Sequence, residues 1–180
     1  ELDLDGNLNE PIWEMAETGS DFIQFFPTDS LSAIYPTTFK VIYSETILYI
    51  GVRAEAANDN YVVSSLRRDF GGTTNDNISI LFDTFNDATT AFFFGVTPYG
   101  VQREGLVSDG GGAFNNTWDM KWQALPGASE VTVGTFRAMS RPLGPKYPKT
   151  NFCRALPIWA NCGLKDRLAA PEHLWHLSLM

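Results

Sequence analysis

The sequence predicts an all-β domain built as an antiparallel β-sandwich, and three observations support this fold class. Phe39, Val41 and Tyr43 would share one face of a strand, the pattern of a half-buried strand. The stretch 47–54 is apolar almost throughout, which is typical of a central strand covered on both faces in a two-sheet structure. Apolar stretches at 77–83 and 90–96 show the same strand pattern, so the sequence predicts more strands than helices.

The first third of the chain predicts one short helix and one β-hairpin. Residues 10–17 have Pro11 near the first turn and apolar residues at helical spacing, which favours a helix too short to organise a core. The stretch 37–43 then predicts a strand, 44–46 a turn, and 47–54 the returning strand.

The middle of the chain predicts further strands separated by turns. Residues 97–100 read Thr-Pro-Tyr-Gly and predict a turn that closes the strand at 90–96. The glycine-rich stretch 109–116 predicts a flexible polar loop. Residues 118–122 resume an extended pattern that places Trp118 and Trp122 on one side.

Composition and charge restrict the classes of function. The 180 residues are 44% hydrophobic and 19% charged, which is ordinary for one globular domain. Residues 1–125 carry a net charge of −12 and the remainder +4, so we expect no nucleic-acid partner. No apolar run approaches the ~20 residues that span a bilayer. The start at Glu1, without a Met or a signal-like segment, suggests a mature or excised piece.

The character of the chain changes after about residue 125. Strand periodicity fades there, and Cys153 and Cys162 permit at most one disulfide without the ligand spacing of a structural zinc site. We therefore assign residues 1–125 to the core of the sandwich and 126–180 to its remainder. Two explanations of this remainder stay open, a divergent tail and a tail read in a shifted frame, and either leaves the closing strands in doubt.

The run 4–13 sets a tight Asp5-Gly6 turn before the apolar anchor Trp13, which we assign to the core, and a second motif follows in the block 75–83. The order of these motifs resembles that of carbohydrate-binding module family 9 over roughly residues 3–124. The resemblance implies a jelly-roll-like sandwich that is not itself catalytic. It also implies an exported protein, periplasmic, outer-membrane-associated or extracellular, in which the module is linked to a further domain.

The resemblance implies a polysaccharide or oligosaccharide ligand, held by stacking and hydrogen bonds. Arginine forks can donate paired hydrogen bonds to sugars, and an exposed ring can stack on a pyranose face. The candidate ligand-binding residues are Arg67, Arg68, Asp69, Tyr99, Trp118 and Trp122. Tyr99 lies in a turn and is expected to be exposed, whereas Trp118 and Trp122 form either a stacking platform or a pair of core rings. Sugar-binding relatives carry an aromatic residue before the strand that starts at position 77 and an acidic residue on it, whereas this chain has Thr73-Thr74 and Ser79, which weakens the family's known mode.

Carboxylates and an amide at the ends of one predicted strand suggest a structural calcium site. Hard oxygen ligands suit Ca²⁺, which takes six to eight of them. The candidate ligands are Asp76, Asp83, Asn86 and Asp87. The alternative is a set of capping and turn carboxylates.

Two functions from different classes remain open. The first is a non-catalytic carbohydrate-binding module that holds an attached domain, such as a glycoside hydrolase, near polysaccharide. The second is a structural or docking domain of an outer-membrane-associated protein that binds no sugar. No carboxylate pair or nucleophile motif predicts an enzyme.

Overall fold

The computed structural model describes residues 2–22, 31–44, 47–55, 61–84, 87–127, 130–137, 158–160 and 175–179. For the last three ranges, the description consists of the backbone and its strand pairing.

Strands make up most of this part of the chain. The helix α1 spans Pro11–Glu14. The strands are β1 (Thr18–Gly19), β2 (Thr37–Tyr43), β3 (Ile47–Ala54), β4 (Ile78–Phe82), β5 (Ala91–Val96), β6 (Gln102–Ser108), β7 (Ala113–Asn115), β8 (Gln123–Pro126), β9 (Glu130–Arg137), β10 (Ile158–Ala160) and β11 (Trp175–Leu179). Short 3₁₀ turns occur at Gly72–Thr74 and Asp109–Gly111.

The strands form two sheets that face each other across one core. Sheet 1 has the order β1-β2-β3-β9-β8, and sheet 2 has the order β10-β11-β4-β5-β6-β7. Neighbouring strands are antiparallel except β10 and β11, which run parallel. The predicted all-β sandwich is therefore confirmed, with this one parallel pair as a departure.

The strongest periodic signals predicted their elements well. Strands β2 and β3 have the predicted bounds, and β4 and β5 begin one residue later than predicted. The turn at 97–100 is closed by a 2.9 Å hydrogen bond from the Gly100 amide to the Thr97 carbonyl oxygen. Helix α1 is shorter than the predicted 10–17, ending at Glu14.

Two predictions about the middle of the chain were wrong. The segment 109–116 contains β7, because Ala113–Asn115 finds backbone partners on β6 despite its glycine-rich surroundings. Residues 118–122 are not a strand, and β8 begins only at Gln123. For β7, pairing with β6 decided the backbone state more than local composition did.

The core lies between the inner faces of the two sheets. Sheet 1 contributes residues such as Ile50 and Val52, and sheet 2 contributes Phe82 and Phe94. The rings of Phe82 and Phe94 meet edge to face at a centroid distance of 5.6 Å. Burial of such rings between the two sheets stabilises the sandwich, because each buried ring removes a large apolar area from water.

The predicted core position of Trp13 is confirmed, since this side chain is 2% exposed. Its indole Nε1 donates to Glu10 Oε2 at 3.0 Å, and its carbonyl oxygen accepts from Lys40 Nζ on β2 at 2.7 Å. The opening run of the chain is thereby attached to sheet 1.

The described strands after residue 125 complete both sheets. Strand β9 lies between β3 and β8, and β11 pairs with β4 from Trp175↔Phe82 to Leu179↔Ile78. Whether 126–180 forms one domain with 1–125, and which reading of the tail is correct, stay predictions. Cys153 and Cys162 lie outside the described residues.

Candidate functional site

Strand β6 sends polar side chains to both faces of sheet 2, and the two faces differ in character. Glu104 lies beside Phe94 of β5 on the core face, whereas Arg103 lies beside Gly95 on the outer face. Successive side chains of a strand point to opposite faces, so one arginine and one glutamate that are adjacent in sequence occupy separate environments.

On the core face, five residues form a polar group that we call the inner cluster: Arg68, Gln102, Glu104, Asp119 and Trp122. The Glu104 side chain is 2% exposed, so its carboxylate needs partners. Arg68 Nε donates to Glu104 Oε1 at 3.1 Å, and the terminal nitrogen Nη2 forms an ion pair with the same oxygen. The Trp122 indole Nε1 donates to Glu104 Oε2, also at 3.1 Å.

Further hydrogen bonds in the inner cluster engage the other nitrogen atoms of the Arg68 guanidinium. Its Nη1 donates to Gln102 Oε1 at 2.8 Å, and Nη2 also reaches Asp119 Oδ1 at 3.4 Å. Gln102 Nε2 donates in turn to the Trp122 carbonyl oxygen at 3.2 Å. Arg68 therefore connects the loop before β4 to the core rather than offering a free fork to a ligand.

Burial raises the pKa of Glu104, and the hydrogen bond with Asp119 raises it further, against the opposing effect of its donors Trp122 and Arg68. The same contact lowers the pKa of Asp119, which is exposed. Glu104 thus holds a proton more readily than Asp119 does.

The two tryptophans predicted as a sugar platform lie against the core. Trp122 is 6% exposed and packs on Phe94 at a centroid distance of 5.3 Å. Trp118 is half-buried and packs on Phe92 at 4.9 Å and on Phe94 at 5.9 Å. The predicted common side of these rings is thus the core side, and neither ring is a free stacking surface.

On the outer face of sheet 2, Phe93, Arg103 and Phe114 form a group that we call the outer platform. The Arg103 guanidinium carbon lies 5.1 Å from the centroid of Phe93 and 4.6 Å from that of Phe114. The two rings meet at 5.3 Å with an angle of 86° between their planes. Phe114 is 38% exposed, whereas Phe93 is buried beneath.

The guanidinium of Arg103 is held by rings and not by a carboxylate. Within the part of the chain that the structure describes, it makes no hydrogen bond and no ion pair. Burial lowers the pKa of Arg103, and the charge of Asp69 partly offsets this effect. The N–H groups of Arg103 thus remain available to a ligand.

Gly105 allows the ring of Phe114 to approach β6 closely. A Cβ atom at Gly105 would come within 2.4 Å of Phe114 Cζ and 2.9 Å of the Asn115 carbonyl oxygen. The absence of a side chain at this position therefore determines where the exposed ring of the outer platform sits.

Of the remaining predicted ligand-binding residues, Arg67 and Asp69 lie on one loop and Tyr99 lies in a turn. Asp69 has a positive φ of 61°, and its amide donates to the Gln102 carbonyl oxygen at 3.0 Å, which places it at the start of β6 near Arg103. Arg67 is exposed on the same loop. Tyr99 is 62% exposed, as predicted, in the turn between β5 and β6.

The structure places two of the predicted calcium ligands, Asp76 and Asp83, at opposite ends of β4. Asp76 precedes β4 and accepts the Val62 amide at 2.7 Å, whereas Asp83 follows β4 at its opposite end. Asp83 Oδ2 accepts the Ala88 amide at 2.9 Å. One ion cannot bind both ends of a five-residue strand, because each residue advances the chain by about 3.3 Å. The structure therefore does not bring Asp76 and Asp83 into one site, and calcium binding stays a prediction.

What remains of the calcium prediction is Asp83 and Asp87, which lie in one turn. The Asp87 amide donates weakly to Asp83 Oδ1 at 3.4 Å, and the amides of Thr89 and Thr90 donate to Asp87 Oδ1 at 2.8 and 2.7 Å. Asn86 lies outside the described residues. Among described side chains, no group of three or more His, Cys, Asp or Glu residues is placed to hold a metal.

A groove of about 570 Å³ lies near the β8 edge of sheet 1, lined by Leu2, Asp3, Leu4, Tyr49, Gly100, Gln102, Trp122, Gln123, Ala124 and Leu125. The Tyr49 hydroxyl is buried and has no hydrogen-bond partner among the described residues. Because this hydroxyl is closed off from solvent, a ligand in the groove could not reach it without rearrangement.

Sequence reasoning missed the outer platform entirely. Arg103 and Phe114 are separated by a turn and belong to different strands, and only the β6–β7 pairing of Val107 with Phe114 brings them onto one face. The local signal was the basic Arg103 between Gln102 and Glu104, which is weak by itself.

The two sheets and their core define the class of protein as a β-sandwich. No family model matches the chain, and no curated protein matches it. A solved structure of a carbohydrate binding module family 9 (CBM9) from Caldicellulosiruptor kristjanssonii in complex with cellotriose is similar in fold, with a TM-score of 0.50 and 14% sequence identity. The chain thus has a fold like that of carbohydrate-binding module family 9, as its motifs predicted.

The fold match covers 75% of this chain and 63% of the similar module, so this chain spans less than two thirds of that module's length. At this level of identity the match concerns the fold and not the binding site. In the described part of the chain, no helix has the length and apolarity needed to cross a membrane.

Proposed function

We propose that this domain is a non-catalytic carbohydrate-binding module whose sugar-binding surface is the outer platform. The observation that carries the proposal is the Arg103 guanidinium, which stacks 4.6 Å from the exposed ring of Phe114 while its own N–H groups have no described partner. A partly exposed aromatic ring beside hydrogen-bond donors complements the apolar face and the hydroxyl groups of a sugar.

The physical argument follows from the surface of a pyranose ring. One face presents C–H groups that pack on an aromatic ring, and the hydroxyls at the rim accept hydrogen bonds from a positioned donor. Phe114 supplies the apolar face, and the Arg103 fork supplies donors in a fixed plane. Such a site binds weakly, because few groups are desolvated.

Two further observations support this proposal over a catalytic function. The similar solved module is described as holding cellotriose, and its fold is that of this chain. The carboxyl pair of the inner cluster is engaged by Arg68 and Trp122, and Glu104 is 2% exposed, so it offers no open site for glycosidic-bond cleavage.

The module's biological setting is proposed from the same family likeness. The domain would be exported and covalently joined to a further domain, which it holds near polysaccharide in polysaccharide breakdown. A calcium ion at the Asp83–Asp87 turn would have a structural role there, since carboxylate oxygens are its preferred ligands.

The test is isothermal titration of the folded domain with cellotriose, xylotriose and mannotriose, with calcium and with a chelator. We expect saturable binding of at least one glycan by the unaltered protein and a tenfold or larger loss in Phe114→Ala. Tyr43→Ala, which removes a ring of similar exposure (40%) from β2 in the other sheet, is the matched control and should bind normally.

Glycan binding that survives in Phe114→Ala would show that the sugar-binding site is not the outer platform. A flat response to these glycans and to acidic ones, from protein with the circular dichroism of a β-sandwich, would overturn sugar binding. The docking domain of an outer-membrane-associated protein would then be the better description.

A further inference from the structure

We infer that the sugar unit held at the outer platform carries a carboxylate, which makes the ligand a uronic-acid-containing oligosaccharide. This inference rests on the proposed sugar-binding function and names the chemical class of its ligand. Its basis is the contrast between a partly buried, charged guanidinium and the absence of any described anion paired with it.

The first step concerns the cost of the charge at Arg103. The guanidinium is partly buried against Phe93 and Phe114, and within the described ranges no carboxylate lies within ion-pair distance of it. The rings recover part of the lost hydration through the attraction of the cation to their faces. An anion that arrives with the ligand would recover more, because a charge-assisted pair is stronger than a hydrogen bond between neutral groups.

The second step concerns geometry. The planar guanidinium can donate two parallel hydrogen bonds to the two oxygens of one carboxylate. A single sugar hydroxyl has one oxygen and cannot accept this parallel pair. The carboxylate of a uronic acid projects from the rim of the pyranose ring. The Arg103 guanidinium carbon is 4.6 Å from the centroid of the Phe114 ring. The pyranose ring can therefore pack on Phe114 while the sugar carboxylate binds Arg103.

The third step concerns the acidic character of the protein, with a net charge of −8, which would repel an anion. At physiological ionic strength the Debye length is about 8 Å, so most of these charges are screened at the outer platform. Asp69 is the exception, since its charge acts on Arg103 although no ion pair joins them. Asp69 would then limit the affinity for acidic sugars without abolishing it.

The experiment compares each acidic oligosaccharide with the same molecule lacking its charge. The probes are trigalacturonate with its methyl ester, and a glucuronic-acid-substituted xylotriose with its carboxyl-reduced form. We expect at least one acidic probe to bind tenfold or more tightly than its uncharged counterpart, with a preference that shrinks as salt rises from 50 to 500 mM.

Four variants test whether this preference comes from Arg103. Arg103→Gln should abolish the preference for the acidic probe, and Arg103→Lys should retain part of it, because the charge remains but the fork is lost. Arg53→Gln, on β3 of the other sheet, changes the net charge equally and should leave the preference unchanged. Asp69→Asn should strengthen binding of the acidic probe alone, since Asn also tolerates the positive φ at this position.

The outcomes separate this inference from the proposed function. Equal binding of charged and uncharged probes, or binding of neutral probes alone, would overturn the acidic ligand and leave a carbohydrate-binding module standing. Absence of binding to every glycan would overturn both. A charge preference that persists in folded Arg103→Gln would also overturn the assignment to the outer platform.

Discussion

Arg68 and Arg103 show how one sandwich uses the same side chain in opposite ways. Arg68 enters the inner cluster, where Glu104, Gln102 and Asp119 accept its donors. Arg103 lies on the other face of the same sheet, against Phe93 and Phe114, without a described hydrogen-bond partner. Both guanidinium groups are partly buried, but only that of Arg68 is paired with a carboxylate.

This difference assigns a structural role to one arginine and a binding role to the other. A paired guanidinium attaches its loop to the core, and a ligand would have to break existing contacts to use it. An unpaired guanidinium beside an exposed ring is ready for a partner at little reorganisation cost. Variants on the two faces of sheet 2 should therefore separate folding stability from binding.

The largest effect is expected in the inner cluster. Glu104→Ala should lower the free energy of unfolding by about 2–3 kcal/mol, because the buried indole N–H of Trp122 and the Arg68 guanidinium both lose their acceptor. Urea unfolding followed by tryptophan fluorescence measures this change.

Glu104→Gln is the matched control for that prediction, since the amide oxygen can still accept from Trp122, and its loss of stability should be smaller. Glycan affinity of folded Glu104→Ala should stay within about twofold of the unaltered protein, an affinity change of roughly 0.4 kcal/mol. A large loss of affinity would mean that the two faces of sheet 2 are not independent.

The outer platform should show the reverse pattern. Phe114→Ala should reduce glycan affinity tenfold or more, equivalent to about 1.4 kcal/mol, with a smaller change in unfolding free energy because the ring is partly exposed. Phe114→Trp should retain binding, since a larger ring still offers a stacking face. Calorimetric titration beside urea unfolding provides both quantities, and equal losses in the two measurements would contradict the comparison.

Gly105→Ala tests the same ring without altering any donor. The added Cβ would collide with Phe114 Cζ, so the ring must move away from β6. We expect weaker glycan binding and a stability loss of about 1 kcal/mol or more from the strained contact. Gly110→Ala, at a position where a Cβ meets nothing within 4 Å but φ is +62°, reports the cost of backbone strain alone.

A smaller effect is expected at Tyr49, which has a buried polar group with no partner. Tyr49→Phe removes the hydroxyl that lacks a described hydrogen bond, so the free energy of unfolding should rise by up to about 1 kcal/mol. Thermal and urea unfolding check the sign. A clear destabilisation would show that this hydroxyl is bonded in solution and that the comparison of paired and unpaired groups does not extend to it.

The smallest effect concerns the exposed Asp87. The amides of Thr89 and Thr90 lower its pKa, so the ionised form favours the folded state. This contribution is fully present above the ordinary aspartate pKa of about 4 and is lost as the pH falls through the lowered folded-state value. Asp87→Asn should therefore lose less stability than the unaltered protein between pH 5 and pH 2, measured by urea unfolding at each pH.

The sequence predicted the strands of the sandwich because their signals are local. Alternation in β2, the apolar run of β3 and the Thr-Pro-Tyr-Gly turn are all read within a few residues. It also placed Trp13 in the core and Tyr99 at the surface. It failed for β7, whose short glycine-flanked segment becomes a strand only through pairing with β6.

The candidate site was less predictable, because the same residue types occur on both faces of a sheet. Arg68 and Trp122 were predicted as ligand-binding residues, whereas in the structure both bind a buried carboxylate on β6 that the sequence does not reveal. The acidic residues at the two ends of β4 were near one another in sequence, and the extended strand kept them apart.

The sequence by itself therefore determined the all-β class, the hairpin and the likeness to a family 9 module, since each depends on short-range periodicity or motif order. Only the tertiary structure decided which arginine is paired and which is free. That choice depends on Glu104 and Phe114 being brought to opposite faces of sheet 2 by strand pairing, and the registers of β5, β6 and β7 exist only in the folded protein.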